Sequence, residues 1–185
     1  MDSNDPNVYT CSSAFFDTAD GGETWHRGPP LSRRCGGVAI HFRTPTDGWA
    51  LTSFVPDYDT DKLYHTTDGG THWRLVRAPS LWNQTGFPED VIFVTPEVGW
   101  VPFSPGAKAI AGGVAVTSDG GRTWKRYLAS YETAGVAVTG AREGWLIGYN
   151  RRCLLSSCGD DLLHTTNSGR TWRKVVPAAA RSSAS

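Results

Sequence analysis

Three aspartates with the same neighbours are the first residues in this chain that could act as acids or bases. The stretches that hold them, each ending in tryptophan, read TADGGETW (18–25), TTDGGTHW (66–73) and TSDGGRTW (117–124). Carboxylates that flank a glycosidic bond can hydrolyse it. A fourth stretch, TTNSGRTW (165–172), has Asn167 in place of the aspartate, so it keeps an oxygen acceptor without the charge. The pattern therefore favours closure of a turn by a side-chain oxygen over acid–base chemistry.

All four stretches, here called the box turns, have the composition of a tight turn between two strands. The second glycine of each is present in every copy, which predicts a positive φ or close contact with a neighbour. Ser168 replaces the first glycine, so that position is expected to be less constrained. His72 replaces a threonine and is expected to be a tolerated surface variant. The structural residues predicted for the turns are Asp20, Gly22, Trp25, Asp68, Gly70, Trp73, Asp119, Gly121, Trp124, Asn167, Gly169 and Trp172.

The elements that position these turns recur along the chain. The closing tryptophans are 48, 51 and 48 residues apart, and a Gly-Trp pair precedes each of the last three turns, at Trp49, Trp100 and Trp145. One repeat reads as four short strands, which in the second unit are 37–43, 48–54, 62–67 and 73–78. A period of ~40–50 residues with four strands is typical of β-propeller blades. The sequence therefore predicts an all-β fold of antiparallel four-stranded blades, with the seven repeated tryptophans as packing residues.

The repeats also predict how the chain is divided. The predicted units are the outer half of a blade with the first box turn (1–36), a second blade (37–86), a third blade (87–134), a fourth blade (135–176) and a flexible tail (177–185). About three and a half blades make a partial propeller or half of a larger ring, since closed propellers have ~4–8 blades. A missing upstream part of the same protein is expected to complete the ring; pairing of two copies as a homodimer is the alternative.

The S/T-x-D-x-G-x-T-W pattern of the box turns resembles the Asp-box, or bacterial neuraminidase repeat. Combined with the preceding Gly-Trp strand, it is most similar to the photosystem II stability/assembly factor family and its bacterial relatives, over roughly residues 14–176. The resemblance implies a β-propeller. It does not imply one activity, because Asp-boxes also occur in sialidases, xyloglucan-degrading glycoside hydrolases and sortilin-like receptors, and one fold hosts many functions.

Composition narrows the partners and the compartment. The 18 acidic and 18 basic residues balance, which argues against nucleic acid or an anionic membrane as partner. Apolar runs are too short for a membrane span, and the polar start has no signal peptide. Four cysteines predict the disulfides Cys11–Cys35 and Cys153–Cys158 and an extracytoplasmic or secreted protein. Reduced structural cysteines are the alternative. No metal or cofactor is predicted, since the cysteines lack zinc-ligand spacing.

Binding is predicted on the loops opposite the box turns, because variable loops carry function more often than repeated turns do. Exposed aromatic and arginine residues are typical of binding hot spots; ordinary solvated loops are the alternative. Asp57, Asp59 and Asp61 alternate as calcium ligands do, but Lys62 stands where an EF-hand needs glycine. The predicted binding residues are Asp57, Tyr58, Trp82, Asn83, Lys108, Tyr149, Arg151 and Arg152.

No catalytic residue is predicted, because no carboxylate pair outside the box turns stands out and no sialidase arginine set can be found. The sequence favours a non-enzymatic Asp-box propeller module that binds a protein or a glycan. The alternative is part of an Asp-box glycoside hydrolase, sialidase-like or xyloglucanase-like.

Overall fold

The computed structural model describes residues 13, 15–31, 36–54, 62–76, 86–105, 112–129, 131–149 and 160–176. Within these ranges the chain is all β, with no helix. The strands are β1 (Phe16–Asp17), β2 (His26–Arg27), β3 (Gly36–Phe42), β4 (Gly48–Phe54), β5 (Lys62–Thr66), β6 (Arg74–Val76), β7 (Gly86–Pro88), β8 (Ile92–Phe93), β9 (Gly99–Pro105), β10 (Gly113–Thr117), β11 (Lys125–Leu128), β12 (Glu132–Val138), β13 (Gly144–Tyr149), β14 (Asp161–Thr165) and β15 (Arg173–Lys174).

The second blade is a four-stranded antiparallel sheet in the order β3-β4-β5-β6. Each strand begins and ends within two residues of the bounds predicted from the sequence. Strand β4 is buried on both faces, from Trp49 to Thr52, because it lies in the interior of the sheet and the next blade packs against it. That double burial explains the run of apolar residues after the Gly-Trp pair.

The third and fourth blades repeat this order. In the fourth blade the order is β12-β13-β14-β15, with a register shift in β12 between Thr133 and Gly135. In the third blade two short strands, β7 and β8, both pair with β9 and together fill the position of the first strand. The predicted fold class of four-stranded antiparallel blades is confirmed.

The half-blade holds two strands in the described part of the chain. Strand β1 pairs with β2 on either side of the first box turn, as the third and fourth strands do in the other blades. With the three complete blades this gives the predicted three and a half, a partial propeller. The predicted disulfides cannot be placed, because Cys11, Cys35, Cys153 and Cys158 lie outside the described residues. So does the predicted tail.

The core lies between blades. Trp49, Leu51 and Leu63 of the second blade pack with a set from the third blade. Trp49 stacks on Phe93 with the ring centroids 4.1 Å apart and the ring planes 5° from parallel. Each large apolar side chain buried there stabilises the fold by about 1.5–3 kcal/mol. The members from the third blade are Val91, Phe93, Val101, Phe103 and Ala115.

The expectation that all seven repeated tryptophans are packing residues is wrong for Trp25. Trp49 and Trp100 are buried and Trp73, Trp124, Trp145 and Trp172 are partly buried, but Trp25 is 59% exposed. Trp73 and Trp124 each meet a phenylalanine of their own blade's first strand edge to face. The described half-blade supplies no such strand, so Trp25 has no equivalent ring to cover it.

Candidate functional site

The box acids close their turns through a fixed set of hydrogen bonds. Asp119 Oδ1 accepts from Thr117 Oγ1 (2.8 Å) and from the Thr123 backbone N–H (2.9 Å), and its Oδ2 accepts from Thr123 Oγ1 (2.5 Å). Asp20 accepts the equivalent three bonds from Thr18 and Thr24. Both carboxylate oxygens are therefore occupied by the turn itself.

The two variant turns keep this arrangement by different means. In the second turn, the ring Nδ1 of His72 donates to Asp68 Oδ2 (2.7 Å), a bond that a threonine hydroxyl makes elsewhere. In the fourth, Asn167 Oδ1 accepts from the Thr171 N–H (3.0 Å) while its amide nitrogen donates to Thr171 Oγ1 (2.8 Å). His72 is exposed, as expected of a surface variant, and it also takes part in closing the turn.

These bonds keep the box acids ionised. Hydrogen bonds from the backbone and side chain of His72, then from Thr66, lower the pKa of Asp68 to about 2. Burial would raise the pKa of Asp119, but bonds from Thr123 and Thr117 outweigh it and lower that pKa to about 2. Bonds from Thr24 and Thr18 likewise hold the pKa of Asp20 well below its usual range. A carboxylate with so low a pKa is a poor proton donor near neutral pH.

The second box glycine is where one blade contacts the next. A Cβ at Gly121 would lie 2.5 Å from Leu63 Cδ2, and one at Gly169 would collide with Val114 of the preceding blade. Both residues also have positive φ, 88° and 76°. A side chain there would thus be strained, and it would have to displace the side chain of Leu63 or Val114.

The first glycine position of the box turns differs from the second in the room available for a side chain, not in its backbone conformation. Ser168 has φ 61°, close to the 75°, 73° and 74° of Gly21, Gly69 and Gly120. A Cβ at Gly120 would meet only a backbone oxygen, at 3.3 Å, and one at Gly21 would meet nothing. The first position is therefore less constrained, as expected, because a side chain has room there and has none at the second position.

An acid, a histidine and the Gly-Trp tryptophan form a second repeated group, which the sequence analysis missed. In the second blade, His65 Nε2 donates to Asp47 Oδ1 (2.7 Å) and the His65 ring stacks on Trp49, with centroids 4.5 Å apart. In the fourth blade His164 Nε2 donates to Glu143 Oε1 (2.9 Å) and stacks on Trp145 at 4.0 Å. Because a carboxylate can only accept, each histidine carries its proton on Nε2.

The third blade has valine at both polar positions, Val98 and Val116. The acid before the Gly-Trp pair and the histidine before the box threonine are thus present together or absent together. That joint change is the sequence signal that could have revealed the contact. Burial would raise the pKa of Asp47, but hydrogen bonds from His65 and Arg43 outweigh it and hold the pKa below its usual range.

A cleft of about 700 Å³ lies beside these groups, between the outer strands of the second blade and the box turn of the third. Apolar and charged residues both line the cleft. Leu75, one of them, is 51% exposed, although leucine is usually buried. The lining residues are Trp49, His65, Arg74, Leu75, Val76, Pro96, Glu97, Asp119, Gly120 and Arg122.

The charges at the border are not equally available to a ligand. Asp119 is held by its own turn, and Arg122 Nη1 donates to the Asp119 carbonyl (3.3 Å). Glu97 accepts from Thr95 Oγ1 at 3.1 Å. Arg74 and Leu75 are neighbours on the edge strand β6, and both line the cleft. Because successive side chains of a strand point to opposite faces, Arg74 shares a face with His65, and Leu75 shares a face with Tyr64.

The predicted loop residues cannot be located in the same way. Tyr149 ends β13, where its backbone pairs with Glu132. The other seven, Asp57, Tyr58, Trp82, Asn83, Lys108, Arg151 and Arg152, lie outside the described residues, as do Asp59 and Asp61. Within the described ranges, no three histidine, cysteine or acidic side chains cluster as metal ligands would. The same ranges contain no helix that is long and apolar enough to cross a membrane.

The fold defines the class of protein: a partial β-propeller whose blades are joined through box turns. No protein-family model matches the chain, and no curated protein sequence matches it. Among solved structures it is similar to the GH74 xyloglucanase from Xanthomonas campestris, at 17% identity and a TM-score of 0.49, over 74% of this chain and 21% of the xyloglucanase. This chain therefore spans about a fifth of that enzyme's length.

Two further solved structures are similar to the chain. YCF48 bound to D1 peptide is 14% identical, with a TM-score of 0.39, over 88% of this chain and 74% of that one. YCF48 from Cyanidioschyzon merolae is 16% identical, with a TM-score of 0.38, over 90% of this chain and 67% of its own.

Proposed function

We propose that this chain is a non-enzymatic Asp-box propeller module that binds a protein partner. The observation that carries the proposal is the cleft between the second and third blades, which Arg74 and the half-exposed Leu75 both line. Its volume is within the ~300–1,000 Å³ of ligand sites. Arginine is enriched at binding hot spots.

A protein partner suits the cleft better than a glycan does. Sugars commonly pack their C–H groups against an open aromatic face. Trp49 is in the cleft wall, but His65 covers one face of its ring and Phe93 the other. An extended segment with an acidic side chain for Arg74 fits the residues that line the cleft.

Glycoside hydrolysis is the alternative function, and the acid at the cleft argues against it. Hydrolysis of this type uses a carboxylic acid whose pKa is raised so that it can protonate the leaving group. Asp119 is shifted the opposite way, to about 2. Both of its oxygens already accept hydrogen bonds from the turn.

Site-specific photo-crosslinking tests the proposal. A benzoylphenylalanine at position 75 is expected to crosslink a protein from the native extract, and Arg74→Glu is expected to abolish that crosslink. The matched control carries the same group in place of Leu128, an equally apolar and exposed residue outside the cleft lining. Equal crosslinking from both positions, or hydrolysis of xyloglucan or a sialoside by the purified chain, would contradict the proposal.

The loop face opposite the box turns is a second possible contact, and one variant separates the two. Trp82→Ala changes the predicted loop face and leaves the cleft intact. If capture of the partner depends on Trp82 and not on Arg74, the contact lies on the loops.

We further propose an extracytoplasmic location, supported by the even cysteine count in a loop-rich β chain. Intact mass with and without reductant tests it. A mass increase equal to four hydrogens on reduction is expected; four free thiols in the untreated protein would contradict it.

A further inference from the structure

The contact between successive blades follows one rule throughout the described chain. In the half-blade, the second blade and the third blade, the residue five positions before the box acid inserts against the second box glycine of the next blade. Phe15 of the half-blade packs on Gly70, as Leu63 does on Gly121. Val114 of the third blade packs on Gly169 in the same way. The rule accounts for the glycine in each of these three turns.

One inserting residue has no glycine to pack against in the described chain. Leu162 lies five positions before Asn167, as Leu63 lies before Asp68. Leu63 is 1% exposed, whereas Leu162 is 36% exposed. The neighbouring position shows the same contrast, since Leu51 is 3% exposed and its equivalent Ile147 is 45% exposed.

One box glycine has no inserting residue among the residues that the structure describes. Within that part of the chain, a Cβ built at Gly22 would meet only the ring of its own Trp25, at 3.7 Å or more. The turn around Gly22 is nevertheless complete, with φ 100° at the glycine and the full set of aspartate hydrogen bonds. It has the geometry of the turns that receive a side chain elsewhere, and Trp25 beside it is exposed.

We propose that a second copy of this chain covers the fourth blade, with Leu162 of one copy packing against Gly22 of the other. The contacts between blades within the chain indicate what covers this face of the fourth blade. Three internal contacts define what fits this face, and among the described residues nothing fills the equivalent turn of the half-blade. This association is head-to-tail, so two copies can satisfy both faces only by closing a ring. Each copy fills four blade positions, one of them in part, and closed propellers have up to about eight.

A partly buried aromatic pair, Trp145 and His164, extends the face that Leu162 forms. Trp145 has His164 on one side of its ring, as Trp49 has His65. The other side of Trp49 is covered by the next blade. Ile147, Leu162 and Trp145 therefore form one apolar strip, which matches in position the strip that the third blade buries on the second.

Sedimentation velocity over a range of concentrations tests the proposal. The chain is expected to shift from the monomer mass to twice that mass as concentration rises. Leu162→Glu is expected to weaken self-association at least about tenfold, because it places a charge in an apolar contact. Leu128→Glu is the matched control and is expected to leave association unchanged, and Arg74→Glu should do the same, since the cleft is a separate surface.

Circular dichroism confirms that each variant is folded before it is compared. A chain that stays monomeric at every concentration would overturn the proposal, and so would association that Leu162→Glu leaves intact. Hydrogen exchange gives an independent measurement on the unaltered chain. Amides at residues 161–165 and 21–25 are expected to exchange more slowly at high concentration; protection of neither segment would overturn the proposal.

Discussion

At the scale of single residues, the box aspartates are structural. Both oxygens of each carboxylate accept hydrogen bonds from residues at most four positions away, and Asn167 closes the fourth turn with its amide. The neighbouring glycines are constrained for two separate reasons, backbone conformation at the first and both conformation and space at the second. The aspartates and glycines of the box turns are therefore explained by the geometry of the turn and by the contact between blades, and not by chemistry on a substrate.

Substituting each of two adjacent glycines separates the two constraints. Gly120→Ala is expected to cost about 1–2 kcal/mol of unfolding free energy, the penalty of a side chain at positive φ. Gly121→Ala adds a clash with Leu63 and is expected to cost at least about 1 kcal/mol more. Urea unfolding of the two variants measures the difference. Equal costs would mean that the blades do not meet at Gly121 as described.

The lowered pKa values predict sensitivity to acid. Asp119 has a pKa of about 2 in the folded protein, below the 3.8 of an unperturbed aspartate, so its ionised form stabilises the fold above about pH 4. This contribution is lost as the pH falls from about 4 to 2, and solvent screening limits it to about 1 kcal/mol. Asp119→Asn is expected to reduce the slope of unfolding free energy against pH in that window. An unchanged slope would contradict the assigned hydrogen bonds.

At the scale of strands and blades, equivalent positions differ in burial because their neighbours differ. The strands could be predicted from the sequence because turn residues and alternating apolar runs are local signals. The Asp47–His65 pair could not be predicted, since it depends on cross-strand register and joins residues 18 apart. Trp25 looked like the other box tryptophans because its own turn is identical, while its exposure depends on strands elsewhere in the chain.

Two tryptophans test how far burial depends on the neighbouring blade. Trp49→Ala is expected to destabilise the fold by about 3–5 kcal/mol, because it removes a ring stacked between His65 and Phe93. Trp25→Ala is expected to cost less than about 1 kcal/mol, since the side chain is exposed. Thermal unfolding of the two variants gives the comparison. A large cost at Trp25 would show that another part of the chain covers it.

At the scale of the whole molecule, three complete blades and a half-blade present distinct surfaces. The cleft between the second and third blades offers Leu75 and Arg74, which we assign to a protein partner. The outer face of the fourth blade offers Leu162 and Ile147, which we assign to a second copy. The predicted loop residues, from Asp57 to Arg152, could not be placed against either surface, so the loop face stays a prediction.

The central claim is that the repeated acids hold the scaffold and that function depends on binding surfaces. The most direct measurement is crosslinking from position 75 in a variant that carries Asp20→Asn, Asp68→Asn and Asp119→Asn together. Because Asn167 already closes a turn, this variant is expected to fold, to lose stability less steeply in acid and to capture the same partner at an unchanged level. A folded variant that no longer captures the partner would contradict the account, since the carboxylates themselves would then be needed for function.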